Sequence, residues 1–160
     1  MQALDELDLR ILEILQEDAS TSNQLLAERV FTSPATTLRR VRALEASGVI
    51  ERIVAILSPE KLGASITAIA EITLDMQNAE AFDAFDALIS AVPAVTQAYR
   101  TAPNVDFTLL LTVRDMAAYH ALVQRLFTAA HNVRNVRSRF VTRRSKISTA
   151  LPLPDAQRRI

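Results

Sequence analysis

Apolar side chains recur with a helical period at the beginning of the chain. In LDELDLRILEILQED they fall close to every 3.6 residues, and acidic residues occupy the opening turn, where the helix dipole favours them. This pattern predicts a helix over about residues 5–17. NQLLAERV then places leucines and a valine on one side of a second, shorter helix, and Ser22 precedes it as a plausible cap.

A third helix is marked by the residue types at its two ends. Ser33 provides a capping hydroxyl, and Pro34 occupies the first helical position, where its missing N–H is not needed. Gly48 suits the left-handed residue that ends many helices, so this helix is predicted to run to about Ser47. Three short helices with a tight turn between the second and third are typical of a helix-turn-helix.

After Gly48 the pattern changes from a helical period to β-branched and alternating stretches. VIERIVAILS predicts a strand or wing that ends before Pro59, and ITAIAEITLDM predicts a further strand. NAEAFDAFDALISAV is helical, VTQAYRT and VDFTLLLTV are strands, DMAAYHALVQRLFTAA is helical, and VRNVRSRFVTRRSKIST is a basic strand. From Ile66 the order is βαββαβ, which is the ferredoxin-like arrangement.

The predicted fold class is therefore α+β. A (winged) helix-turn-helix domain is expected over residues 1–50 and a strand or hinge linker over residues 51–63. Residues 64–150 are expected to form a ferredoxin-like domain, and residues 151–160 a loosely held tail with two prolines.

Composition narrows the classes of function. The chain has no cysteine, two histidines and two glycines, which argues against thiolate metal sites and glycine-rich phosphate loops. His120 and His131 are isolated from other ligand types, so we expect no metal, no cofactor and no enzymatic activity. No apolar run approaches the ~20 residues of a membrane helix, and MQALDELDLR does not resemble a secretion signal. We therefore expect a cytoplasmic protein.

Charge is segregated along the chain, although the formal net charge is +0. The segment from Arg125 to Lys146 holds seven basic residues and no acidic residue. Two interpretations remain open for this basic strand. Its arginines pair with the acids of NAEAFDAFD, across the sheet or across a subunit contact, or they provide extra contacts to DNA.

The three arginines of the third helix decide what that helix does. In steps of 100° per residue, Leu38, Val41 and Leu44 cluster on one side, whereas Thr36 and Arg39 lie almost opposite. The second helix of a helix-turn-helix enters the major groove with its N-terminal residues at the base edges. Arg39 is thus expected to read bases and Arg42 to contact phosphate. The predicted DNA-binding residues are Ser33, Ala35, Thr36, Thr37, Arg39, Arg40 and Arg42.

Arg40 has a structural alternative. It lies near the edge of the predicted apolar stripe, where it can pair with an acid of the first helix such as Asp8 or Glu13. Both roles remain open at the level of sequence.

Four segments carry a family resemblance that covers nearly the whole chain. LDELDLRILEILQED, SNQLLAERV, SPATTLRRVRALEASGVI and LSPEKLGASITAIAEITL resemble, in order and spacing, the Lrp/AsnC (feast/famine) family of transcription regulators. The resemblance implies binding to double-stranded DNA and homodimers that assemble further into tetramers or octamers. It also implies that residues 64–150 are an ACT-like domain for oligomerisation and effector binding, with an amino acid or related molecule as the effector.

Two residues depart from the family pattern in the implied effector region. Pro103 in PNVDF and Asn132 in HNV stand where the family usually has glycine. Proline removes a backbone donor, whereas asparagine still tolerates a left-handed conformation, so the pocket is expected to be altered, reduced or lost. The effector-binding residues implied by the resemblance are Ala102, Pro103, Asn104, Asp106, Asn132 and Val133. Asp106 would contact a ligand amine or serve only as a turn residue.

Two other classes of function compete with a DNA-binding regulator. One is an enzyme resembling the sirohaem decarboxylases, which look like members of this family that no longer bind DNA. The intact Ser33-Pro34 start and the outward arginines argue against it. The other is a small-molecule sensor module with vestigial DNA affinity, which only a DNA titration distinguishes.

Overall fold

The computed structural model of the protein describes residues 4–63 and 66–154. The chain divides into two compact units. One contains the chain up to Ile56 together with the chain from Lys146 onward, and the other runs from Leu57 to Ser145. No helix in the described ranges has both the length and the apolar character that crossing a membrane requires.

The first unit is built from three helices in a helix-turn-helix arrangement, as the pattern predicted. Their bounds are α1 Glu6–Glu17, α2 Asn23–Arg29 and α3 Pro34–Ala46. Asp5, Ser22 and Ser33 each cap one helix, because each side chain accepts a backbone N–H from the first turn. A small core joins the three helices through Ile11, Leu26, Val30 and Leu44.

The helices α2 and α3 end on left-handed residues of very different kinds. Gly48 follows α3 with φ 74°, whereas Phe31 follows α2 with φ 56°. Phe31 N–H donates to Glu28 O (3.2 Å) and Thr32 N–H donates to Ala27 O (3.0 Å), which is the Schellman pattern. A left-handed backbone costs a residue with a side chain about 1–2 kcal/mol, a penalty that glycine avoids.

The second unit has the predicted βαββαβ order. Its elements are β1 Ile66–Leu74, α4 Ala79–Ser90, β2 Val95–Arg100, β3 Phe107–Val113, α5 Met116–Leu126 and β4 Val133–Phe140. The strands form an antiparallel sheet in the order β2-β3-β1-β4. Both helices pack on one face of this sheet, where alternate residues of β1 and β3 are buried, among them Ile72, Phe107 and Leu109.

One predicted strand is missing, and another is shorter than predicted. Residues 51–58 have no regular structure, so the strand predicted there is not formed within the described residues. A strand needs a partner for its backbone, and Ile53, Val54 and Ile56 of this segment are all exposed. The basic segment forms a strand only as far as Phe140, which lies opposite Ala68 of β1, and Val141 N–H donates to Thr67 O at 2.9 Å just after it.

The chain returns to the first unit after β4. Leu151 N–H donates to Gln16 Oε1 of α1 at 2.9 Å. The segment predicted as a loosely held tail therefore makes a defined contact at its beginning. The remainder of that prediction, residues 155–160, lies outside the described residues.

Candidate functional site

The first turn of α3 is held by its cap and by a neighbouring helix. Ser33 Oγ accepts Thr36 N–H at 3.2 Å and donates to Thr36 Oγ1 at 2.9 Å. Asn23, at the start of α2, donates its side-chain amide to Pro34 O at 2.9 Å. This second contact fixes the turn between the two helices. Asn23 was missed at the sequence level because nothing local indicates an acceptor 11 residues away.

Thr37 corrects the predicted set of DNA-binding residues. Its side chain is fully buried, with 0% exposure, and its hydroxyl donates to Ser33 O at 3.1 Å. The buried stripe of α3 contains Thr37 and Leu44, whereas Leu38 is 40% exposed. The helical wheel was centred on Leu38 because leucine is the more apolar residue, and this rotated the predicted stripe by about one position.

Arg40 points towards α1 and pairs with two of its acids. Its Nη2 lies 2.7 Å from Asp5 Oδ2, and its Nη1 lies 3.2 Å from Asp8 Oδ1. The predicted ion pair with Asp8 is therefore present, and Asp5 joins it. The hydrogen bond from Asp8 N–H, assisted by the charge of Arg40, holds the pKa of Asp5 below its ordinary value. A basic residue of the candidate DNA-binding helix thus binds two helices together.

Arg39 and Arg42 remain on the outer side of α3. Both are exposed, and neither has an ion-pair partner among residues 4–63 and 66–154. Ala35, one turn before Arg39, is exposed as well and leaves the N-terminal end of this side uncrowded. The arrangement presents two uncompensated guanidinium groups beside a helix start.

In the second unit, two of the predicted effector residues converge on one loop. Asp106 accepts Leu74 N–H at 2.7 Å and the side-chain amide of Gln77 at 3.1 Å. The Asn132 side chain makes two hydrogen bonds of 2.9 Å with Met76: its Oδ1 accepts Met76 N–H, and its Nδ2 donates to Met76 O. Gln77 and Met76 were not predicted, because these contacts span 29 and 56 residues.

The other predicted effector residues fall into two groups. Ala102, Pro103 and Asn104 form an exposed turn, in which the Ala102–Pro103 bond is cis and Asn104 has φ 79°. Asn132 adopts the left-handed conformation that its residue type tolerates, with φ 63°. Val133 is different, since its side chain belongs to the core and its N–H donates to Thr128 O at 3.1 Å. The predicted effector role of Val133 is therefore corrected for its side chain, which is buried in the core.

A cavity of about 330 Å³ opens beside the same loop. It is mostly apolar, and none of its lining residues is Asp, Glu, Lys or Arg. His131 contributes an imidazole whose Nδ1 lies 3.0 Å from Leu126 O. The lining residues are Met76, Ala81, Ala84, Phe85, Leu88, Ala130, His131 and Asn132. Only Asn132 belongs to the predicted effector set.

The acids of NAEAFDAFD do not pair with the basic strand within this chain. Asp83 and Asp86 instead bind Arg100 of β2, whose Nη2 lies 2.5 Å from each carboxylate. The hydrogen bond from Arg100 to Asp83, followed in size by that to Asp86, raises the pKa of the guanidinium. Arg139 pairs with Glu71 of β1. Arg137 is exposed, and no described residue pairs with it.

Metal ligands do not cluster in the part of the chain that the structure describes. No group of three or more His, Cys, Asp or Glu side chains there could hold an ion. The chemistry available at the two sites is therefore cationic recognition on α3 and hydrogen bonding around the Leu74–Gln77 loop.

Family comparisons match both units. Residues 4–51 match the model of a winged helix-turn-helix DNA-binding domain, and residues 67–151 match that of the Lrp/AsnC ligand binding domain.

Characterised and uncharacterised relatives align over nearly the whole chain. An uncharacterised HTH-type transcriptional regulator of Haemophilus influenzae is 36% identical, with 96% of this chain and 91% of that protein covered. The glutamate uptake regulatory protein of Zymomonas mobilis is 34% identical, with 97% and 94% covered. The leucine-responsive regulatory protein of Salmonella typhimurium is 34% identical, with 92% and 90% covered.

Solved structures agree with the fold. An AsnC family transcriptional regulator from Agrobacterium tumefaciens superposes with a TM-score of 0.87 at 36% identity, covering 93% of this chain and 97% of that one. A transcriptional regulator from Neisseria meningitidis, solved as a complex with L-Met, gives 0.87 at 31% identity, covering 94% and 97%.

Proposed function

Because this chain belongs to the Lrp/AsnC family of transcription regulators, we propose that it binds specific DNA sites through α3 as a homo-oligomer and responds to an amino-acid-like effector. The relatives named above are regulators rather than enzymes. Membership of the family establishes a DNA-binding helix-turn-helix and a domain of the ligand-binding type. The residues that contact the DNA and the effector are proposed below.

The observation that carries the DNA-binding proposal is that the three arginines of α3 have different surroundings. Arg40 is paired with Asp5 and Asp8, whereas Arg39 and Arg42 are exposed and unpaired in the described chain. Arg39 lies near the helix start, where side chains of a recognition helix reach base edges, and guanine is the preferred partner of arginine. Arg42 follows one turn later and is assigned to phosphate. Ser33, Ala35 and Thr36 form the end of the helix that approaches DNA.

The proposed oligomer is supported by the free face of the sheet. Ile69 and Leu110 are directly opposite each other in the β1–β3 ladder, on the face away from α4 and α5. No described element of the second unit covers this face, on which the apolar pair lies among polar residues such as Glu71 and Thr108, so the pair has no second layer within the unit. A second copy of the chain would provide that layer. A dimer would also present two copies of α3 to successive major-groove faces, about 34 Å apart.

The proposed effector site is the Leu74–Gln77 loop with the side chains that hold it. Asp106 is a carboxylate with lone pairs beyond those used by Leu74 and Gln77, which suits the ammonium of an amino acid. The adjacent apolar cavity suits an apolar side chain. The exposed turn of Ala102, Pro103 and Asn104 lies next to Asp106 in sequence. The relative solved with L-Met supports an amino acid as the class of effector.

DNA binding is tested by fluorescence anisotropy with genomic fragments at a stated salt concentration. We expect Arg39→Ala to weaken binding to the preferred fragment by about 1–3 kcal/mol, and to reduce the ratio of its affinity for that fragment to its affinity for unrelated DNA. We expect Arg42→Ala to weaken binding to all fragments by a similar factor, and to lower the slope of log Kd against log salt concentration by about one.

Lys61→Ala is the control, because it removes an exposed cation of the second unit that lies outside both α3 and the basic segment from Arg125 to Lys146. If Arg39→Ala behaves like Lys61→Ala, the role of Arg39 is wrong. If the parent protein shows no preference for any fragment, the proposal of specific binding fails, and vestigial DNA affinity is the better description.

A further inference from the structure

Phe31 lies in the turn between α2 and α3 and has an unfavourable backbone conformation. It occupies the left-handed position of the Schellman motif that ends α2, with φ 56°. This is the position at which helices most often place glycine. The chain does so at the end of α3, where Gly48 has φ 74°.

The other left-handed residues of the described chain all suit that conformation. They are Gly48, Gly63, Asn104 and Asn132, so Phe31 is the exception. Turn geometry alone does not require phenylalanine, because glycine or asparagine would satisfy the same backbone. The side chain therefore needs an explanation of its own.

Packing within the chain does not supply that explanation. Phe31 is 89% exposed, more than any other large apolar residue in the described ranges. No ring pair or cation–π contact in those ranges includes it. A singly exposed apolar side chain is ordinary on a protein surface. An exposed aromatic ring held on a strained backbone is not, because no packing in the described ranges offsets the strain.

Position indicates what the ring contacts. Phe31 precedes the cap residue Ser33 by two residues, a span of roughly 7 Å. The N-terminal end of a recognition helix enters the major groove, so the turn before it lies at the edge of that groove. We propose that Phe31 is an apolar DNA contact, packing its ring against C–H surface of the duplex. This inference rests on the proposed DNA binding through α3.

The shared chemistry is an apolar surface without charge, and duplex DNA offers two sources of it. One is the 5-methyl group of thymine in the major groove, a recognised partner for phenylalanine. The other is the C–H face of a deoxyribose at the groove wall. The two sources differ in sequence content, since only the methyl group marks a base.

Three variants separate the ring from the backbone. Phe31→Gly removes the ring and the strain, Phe31→Asn removes the ring but keeps a side chain that tolerates φ > 0, and Phe31→Tyr keeps the ring. We expect the glycine variant to melt about 4 °C higher than the parent while binding its preferred fragment about tenfold more weakly. The asparagine variant should also bind about tenfold more weakly, and the tyrosine variant should bind within about twofold of the parent.

The salt dependence of binding is the readout that a charge effect would change. An apolar contact releases no counterions, so the slope of log Kd against log salt should be the same for the parent and Phe31→Gly. Sedimentation velocity should show the same oligomer for both proteins. A glycine variant that binds as tightly as the parent, or one that changes the oligomer instead, overturns the inference.

Uracil-substituted DNA identifies the source of the contact. If the ring packs on a thymine methyl group, replacing thymine by uracil lowers the DNA affinity of the parent by a larger factor than that of the Phe31→Gly variant. If it packs on deoxyribose, the two proteins lose affinity by the same factor. Failure of the underlying proposal is recognised separately, because the parent would then show no preferred fragment with which to start.

Discussion

Arg40 of α3 and Asp8 of α1 form a two-pronged contact, in which Arg40 Nη1 lies 3.2 Å from Oδ1 and 3.3 Å from Oδ2 of the carboxylate. The Asp8 side chain is only 10% exposed, so Arg40 is its cationic partner in a site with little access to water. The contact joins the first and third helices of the helix-turn-helix. Arg40 therefore holds the candidate DNA-binding helix against α1 and does not lie on its outer side.

Removing Arg40 should therefore destabilise the first unit. Arg40→Ala leaves the Asp8 carboxylate nearly buried and without its cationic partner, and we expect a loss of about 1–3 kcal/mol in the free energy of unfolding. Urea unfolding measures this loss. Arg42→Ala is the control and should change stability by less than about 0.5 kcal/mol. Equal effects of the two substitutions would contradict the assignment.

Asp5 predicts a pH dependence. Its folded pKa lies below the ordinary value of 3.8, so its contribution is fully present above that pH and is lost as the pH falls through the lower folded value. Asp5→Asn keeps a capping side chain but removes the charge. We expect the parent to be more stable than this variant at neutral pH and the gap to close below about pH 4. Urea unfolding across this range provides the test, and a gap that does not vary with pH would refute the electrostatic explanation.

Asn132 should stabilise the Leu74–Gln77 loop through its backbone and its side chain separately. Asn132→Gly keeps a left-handed residue and loses the two hydrogen bonds to Met76, which should cost about 1–2 kcal/mol. Asn132→Ala loses the same bonds and adds left-handed strain, for about 1 kcal/mol more. Thermal unfolding of the two variants compares these terms. Identical stabilities would show that the conformation of residue 132 carries no cost.

The free face of the sheet should be sensitive to charge. Leu110 alternates with the buried Leu109 and Leu111, so Leu110→Arg adds a charge to the face away from the helices. We expect this variant to sediment as a smaller species with unchanged secondary structure. Gln124→Arg adds the same charge to the exposed side of α5 and should leave the oligomer intact. An unaltered oligomer in Leu110→Arg would remove this face from the interface.

The features that the sequence predicted well are those with local causes. Ser22 and Ser33 cap helices because a hydroxyl beside an apolar repeat can bond the first turn, and both ends of this interaction lie within three residues. The βαββαβ order followed from changes of period that need no knowledge of tertiary contacts. The pairing of Arg40 with Asp8 was one of two alternatives left open by the sequence, because Arg40 lies at the edge of an apolar stripe facing α1 but also on the candidate DNA-binding helix.

The features that were missed depend on contacts between distant residues or on partner strands. Thr37 is buried because its hydroxyl is satisfied by Ser33, which an apolar wheel does not take into account. Residues 51–58 have the β-branched pattern of a strand, but no neighbouring strand is available in the described chain. The hydrogen bonds between the Leu74–Gln77 loop and the side chains of Asp106 and Asn132 join segments that are far apart in sequence, so no local pattern predicts them.

The contact of Leu151 with Gln16 joins residues 135 positions apart within the first unit. During synthesis the three helices leave the ribosome first, whereas the segment that returns to α1 is made only after the whole second unit. Domains generally fold as units in the order of translation, but this unit receives its last piece at the end. A fragment that ends at Ile56 therefore contains the DNA-binding helices without the segment that closes back on α1.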